Sequence, residues 1–298
     1  MKKLFNILIF VSFIFLFIYL IRQDLIIAEI PDLTWLIISV FFVFAGFYVS
    51  TISWQVALES HGKKISHRDA IVSHGQAIFA KYIPGKIWVI LGRAGYISNG
   101  KEEMKNSSFV SMKEQLIYIW AGLVISAIPT FIYYKFQWIS FLLIGIIILL
   151  SLMLFSAPFH RWGLGLFKRI FKKELELPVI SFKKSFPIIL STSGIWLFWT
   201  VGFFIFMLAF SEDIMPVMAF AFPLSVSFGV LAIILPGGLG VREGIIVGYL
   251  TLAGLDVETA TTISFMNRLW FIAGEVFIFL LSLLLRVGKK PRRGNRSI

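Results

Sequence analysis

The 298-residue chain contains no cysteine, so disulfide bridges, cysteine metal ligands and thiol nucleophiles are all excluded. Histidine is scarce as well. His61, His67, His74 and His160 form no pair at metal-ligand spacing on one helix face, and neither a metal nor another cofactor is expected. Charged residues make up only 15% of the chain, against about 25% in an ordinary soluble domain. Acidic residues are the scarcer kind: 16 Asp and Glu face 28 Lys and Arg, for a net charge of +12. A nucleotide-binding loop is missing too. The glycine-rich run 236–240 lacks a Gly-Lys-Ser/Thr ending and lies in apolar sequence.

What is abundant is hydrocarbon. Apolar residues make up 58% of the chain, and the mean hydropathy is +0.87. They arrive in runs of about 20, long enough to cross a hydrocarbon core roughly 30 Å thick. A water-soluble enzyme, a DNA-binding module and a disordered tail are excluded on that ground. The excess of Lys and Arg then reads as cytoplasmic loops facing anionic lipid, with no nucleic-acid partner. The expectation is an all-α polytopic protein of a bacterial or archaeal cytoplasmic membrane, one membrane domain over residues 1–298.

Full spans are expected over residues 4–21, 33–58, 109–134, 138–157, 186–210 and 259–285. The first resembles a signal sequence, but it lacks a small-x-small cleavage site and is read as uncleaved. Two apolar stretches, 69–98 and 217–252, are interrupted in their middles by Pro84-Gly85 and by Pro236-Gly237-Gly238 with Gly240. Proline removes a backbone donor and glycine permits a sharp reversal, so each stretch splits into halves too short to span. Two re-entrant helical hairpins follow; kinked full-length spans are the alternative.

The distribution of charge favours the hairpins. With six spans and two hairpins, both termini, the basic loop 158–185 and the basic tail 286–298 are cytoplasmic. Outside segments then hold only Arg22 and Lys135 as basic residues, and collect Asp24, Glu29, Asp32, Glu212, Asp213, Asp256 and Glu258. The same topology contains an inverted repeat, about 1–134 and about 137–285. Pro84-Gly85 and Pro236-Gly237 lie 152 residues apart, as do Gly92 and Gly244, and Ala121-Gly122 and Ala273-Gly274. Broken helices that enter from opposite faces and meet near the midplane form the substrate site of many secondary transporters.

Nine charged side chains fall inside these apolar segments: Lys81, Lys86, Arg93, Lys113, Arg242, Arg268, Glu114, Glu243 and Glu275. Each costs roughly 2.5–3.5 kcal/mol at a helix centre, so a compensating role is expected. Arg93 and Lys113 lie near cytoplasmic ends, where snorkelling is the plainer reading, and Glu114 can serve to neutralise a basic neighbour. Arg242 resists such treatment. It falls in the first turn of the half-helix after Pro236, where the helix dipole disfavours a cation unless an anion binds there. Lys86 repeats the arrangement after Pro84-Gly85. Glu243 suits the dipole, as a cap-like partner or a gate. The alternative is an internal pair between Arg242 and Glu243 or Glu275. The candidate substrate-binding set is therefore Lys81, Lys86, Arg93, Glu114, Arg242, Glu243, Arg268 and Glu275, with a phosphate-type ligand.

The run Tyr82-Ile83-Pro84-Gly85-Lys86-Ile87-Trp88 to Gly92-Arg93, then Glu114, and Leu235-Pro236-Gly237-Gly238-Leu239-Gly240-Val241-Arg242-Glu243-Gly244 carry a resemblance. They resemble the flippase-like membrane domain of lysylphosphatidylglycerol synthases, over nearly the whole chain. The resemblance implies translocation of a lipid with a polar headgroup, and no enzyme activity, because no soluble transferase domain follows residue 285. It also points to anionic phospholipids or polyprenyl-phosphate-linked sugars as substrates, with envelope glycosyltransferases as partners. An intramembrane lipid-using transferase, or a non-catalytic partner of an envelope enzyme, is the competing reading. The first would usually need paired carboxylates or histidine beside a large outside loop, and the outside loops are short.

Overall fold

The computed structural model describes residues 31–83, 87–134, 138–159, 182–232 and 236–287, with isolated positions between 161 and 169. The expected first span, Pro84, Gly85 and Lys86, most of the basic loop and nearly all of the tail lie outside the described residues. Those described are helical or in turns, with no strand among them. In order, α1 is Leu33–Ser60, α2 His67–Ala77, α3 Ile87–Ile97 and α4 Lys101–Tyr134. Then follow α5 Trp138–Phe155, α6 Phe182–Met207, α7 Ala221–Leu231, α8 Val241–Leu252 and α9 Val257–Val287. Single 3-10 segments, Ile78–Tyr82, Pro216–Phe220 and Pro236–Gly238, prolong α2, precede α7 and precede α8.

Four helices, α1, α4, α6 and α9, are long and apolar enough to cross a membrane. Their outward faces are apolar where a water-soluble protein would be polar. Leu33, Ile37 and Phe41 form an exposed stripe along α1, and Leu269, Val276, Leu280 and Leu284 do so along α9. The chain is a multi-pass membrane protein. By contrast, α2, α3 and α7 have 11 residues each and α8 has 12. At about 1.5 Å per residue each covers roughly 17 Å, about half of a hydrocarbon core. Of the two Pro-Gly positions, the described one, Pro236-Gly237, falls where helix is interrupted between α7 and α8.

Helix starts follow from side-chain caps. Asp32 accepts from the Thr34 N–H at 2.7 Å, and Asp256 from the Thr259 N–H at 2.7 Å. The start of α4 differs from expectation. It begins at Lys101 rather than 109, because Glu102 and Glu103 occupy its first turn and Glu103 accepts from the Asn99 N–H at 2.6 Å. Residues expected to form a loop are therefore the polar first turns of a long helix.

The core lies where α1 and α6 cross. They run antiparallel, with the Asp32 N–H on the Ala209 carbonyl at one end and Ser191 on Ser53 towards the other. Between these points α1 offers Gly46 to the Trp199 ring, and α6 offers Gly202 to Phe42; a Cβ on either glycine would lie within 3 Å of that partner. The Trp199 ring also packs against Phe47 and Phe271, with centroids 4.9 and 5.0 Å away. Among the described residues every buried indole has its N–H satisfied: Trp54 by Ser73, Trp196 by Tyr118 O, Trp199 by Val43 O and Trp270 by Ser39.

Candidate functional site

The second break is built by glycine. Gly237, Gly238 and Gly240 have φ of 61°, 70° and 81°, the left-handed region that other residues seldom enter. Gly238 lies so close to Gly229 of α7 that a Cβ would stand 2.7 Å from the Gly229 Cα. The chain then enters α8 with Glu243 reaching back to accept from the Gly240 N–H at 2.7 Å. Arg242, the second residue of α8, runs across Gly229; a Cβ there would lie 2.5 Å from the arginine Cγ. Its guanidinium ends 5.0 Å from the Phe271 ring centroid and 5.8 Å from that of Phe222.

Around this point the embedded charges sort into pairs. Arg93 donates to Glu114 at 2.8 Å, stacks on Trp54 at 4.6 Å and donates to Ser111; its exposure is 2%, so it does not snorkel. Glu275, 1% exposed, accepts from Lys81 and from the Tyr82 hydroxyl, the latter at 2.9 Å. Glu243 pairs with Arg268, whose Nη1 also donates to the Gly237 carbonyl at 3.0 Å. Lys113 is buried as well, and donates to His61 Nε2 at 2.9 Å. Arg242 is the exception. It is 6% exposed, no carboxylate lies within ion-pair distance of it among the described residues, and its Nε and Nη2 have no hydrogen-bond partner there.

A cavity of about 370 Å³ runs along these groups. Lys81, Tyr82, Arg93, Glu114, Arg242 and Arg268 line it, together with apolar side chains of α3, α4 and α7. Glu243 and Glu275 stand behind the lining, each holding one of its cations. The 3-10 segments Ile78–Tyr82 and Pro236–Gly238 meet at its edge, where the Tyr82 ring lies 3.1 Å from the Cβ position of Gly237. Such a wall presents guanidinium and ammonium groups in an apolar recess, the arrangement that binds an anion. No group of three or more His, Asp or Glu suited to a metal occurs among the described residues.

Of the candidate site residues, Lys81, Arg93, Glu114, Arg242, Glu243, Arg268 and Glu275 thus gather around one cavity, and Lys86 lies outside the described residues. Neither internal pair suggested for Arg242 forms: Glu243 and Glu275 are both engaged elsewhere. Sequence reasoning passed over Tyr82 as a ligand of Glu275, the Phe222 and Phe271 faces, and Gly229. The last carried a readable signal, a glycine in a short helix one element before a glycine-rich break. His74 is buried and bonds Ser50 at 3.1 Å.

Short helices thus meet beside an inward-facing set of charges within an apolar, multi-pass chain. The sequence profile of the lysylphosphatidylglycerol synthase TM region matches residues 3–285, and the chain belongs to that family. No curated protein and no solved structure matches it.

Proposed function

We propose that this protein is a flippase that moves a lipid with an anionic, phosphate-bearing headgroup between leaflets. The observation that carries the reading is Arg242, a buried guanidinium lining a cavity, with no carboxylate at ion-pair distance and no hydrogen-bond partner on two of its nitrogens among the described residues. An unpaired buried cation costs several kcal/mol, and a phosphate held at the start of α8 would offset that cost through charge-assisted bonds and the helix dipole. Lys81 and Arg268 would support the same anion, while the lipid tail stays among the apolar side chains of α3 and α7.

In this reading the two broken segments are re-entrant hairpins of an inverted repeat. Two features support it. Exchanging α1, α2, α3 and α4 for α6, α7, α8 and α9 preserves the neighbours of each helix: α2 packs on α9 as α7 packs on α4, and α4 on α6 as α9 on α1. The exchanged helices α1 and α6 are antiparallel, which makes a repeat relating them an inverted one. Rocking of the halves about that crossing would expose the cavity to either side.

The test is Arg242→Gln in liposomes reconstituted with the purified chain and a trace of fluorescent anionic lipid. Loss of most of the protein-dependent translocation, with thermal stability kept, is the expected result. Undiminished translocation by the variant would sink the phosphate site.

A further inference from the structure

Resting on the reading of Arg242 as the phosphate site, we infer that the cavity selects a headgroup bearing one negative charge on a phosphodiester, and rejects headgroups that carry an ammonium. The argument is charge balance. Lys81, Arg93 and Arg268 are each closed by a carboxylate, Glu275, Glu114 and Glu243. Arg242 is left over, so the described wall has an excess of one positive charge.

The free donors agree with that count. Arg242 Nε and Nη2 lie on one edge of the guanidinium, the edge that meets two oxygens of one anion side by side. Arg268 Nη2, also buried and without a partner, supplies a third donor on the same wall. A phosphodiester matches these terms: one charge spread over two non-bridging oxygens. A phosphomonoester above its second pKa of about 6 brings a second negative charge that meets no further free cation among the described residues. The ammonium of an ethanolamine, choline or lysyl headgroup would sit beside the Arg242 guanidinium with no free counter-ion, because the three carboxylates that surround this cavity among the described residues are engaged. Leaving either charge unpaired in an apolar recess is expensive, so both classes are disfavoured. The same single-charge diester occurs in phosphatidylglycerol and in polyprenyl phosphohexoses.

The experiment uses the full chain in phosphatidylcholine liposomes at about pH 8, where the monoester is doubly charged. Tracer amounts of fluorescent phosphatidylglycerol, polyprenyl phosphohexose, phosphatidic acid, phosphatidylcholine and lysyl-phosphatidylglycerol are compared by the rate at which each becomes accessible to an impermeant quencher. One of the two singly charged diesters should cross at least about tenfold faster than the other three lipids, the ratio set by leaving one charged group unpaired. The faster diester identifies the tail. Glu275→Gln removes the counter-charge of Lys81 while keeping an acceptor for the Tyr82 hydroxyl. It should raise the ratio of phosphatidic acid to phosphatidylglycerol several-fold, whereas a purely structural role would lower both alike. If lysyl-phosphatidylglycerol or phosphatidic acid crosses fastest in the wild type and Arg242→Gln abolishes it, the charge inference is overturned while the flippase reading stands. If no lipid crosses faster than in protein-free liposomes, the flippase reading itself fails.

Discussion

Arg242 and Glu243 are neighbours in the chain and do not pair: the carboxylate turns away to Arg268 and to the Gly240 N–H. One residue of helical rotation separates the two side chains by about 100°. Glu243 thereby closes the start of α8, and Arg242 is left for the cavity. The division of labour makes opposite demands on the two positions.

Glu243→Gln keeps an oxygen for the Gly240 N–H but strips Arg268 of its counter-ion. We expect a loss of about 3 kcal/mol, the cost of breaking a buried pair from one side. Adding Arg268→Gln should recover most of it. Thermal unfolding of the two variants and the wild type in detergent measures both steps; a double variant as unstable as the single one would contradict the pairing.

Gly229→Ala places a methyl group 2.5 Å from the Arg242 Cγ. The flexible arginine stem can shift, so the fold should survive while translocation falls as it does in Arg242→Gln. Gly238→Ala is harsher, because its Cβ meets backbone at 2.7 Å and its φ is 70°. A loss of more than about 2 kcal/mol is expected there from strain alone, and expression level with melting temperature would register it.

His61, just beyond the end of α1, gives its Nδ1–H to the Ala57 carbonyl and so accepts from Lys113 only when neutral. Burial first, and then the Lys113 ammonium, hold its pKa below the ordinary 6.5. The unfolded chain therefore takes up this proton at higher pH than the folded one. Stability from this group is complete above about pH 6.5 and declines as pH falls through the folded value. The melting temperature should drop between about pH 7.5 and pH 5.5, and His61→Gln should remove part of that drop. An unchanged profile in the variant would show that the imidazole carries no such share.

Because the chain has no cysteine, single introduced cysteines report sidedness without background. Positions 101–105 should label from the cytoplasmic side and 254–258 from outside. Labelling of 101–105 from outside would turn the first broken segment into a crossing and remove the inverted repeat.

Local chemistry was legible in the sequence, and long-range pairing was not. Glycine and proline announce where α7 and α8 separate, because their backbone preferences act within a few residues. The oddness of Arg242 was legible for the same reason, as a cation in a first helical turn. Which carboxylate meets which cation depends on distant segments: Lys81 and Glu275 are 194 positions apart. Nothing near Arg93 in the chain discloses that Trp54 and Ser111 bury it. The polar turns ahead of residue 109 misled a reading based on hydropathy, which registers apolar length but not a capped helix start.

The crossing of α1 and α6 has a consequence for how the two helices hold together. Gly46 receives Trp199 and Gly202 receives Phe42, so each helix brings one notch and one knob to a shared seam. A surface that is complementary to its own counterpart is the kind a two-fold dimer uses. The two helices are thus joined in the manner of a subunit interface within one chain, each burying aromatic surface that the other would otherwise leave to lipid.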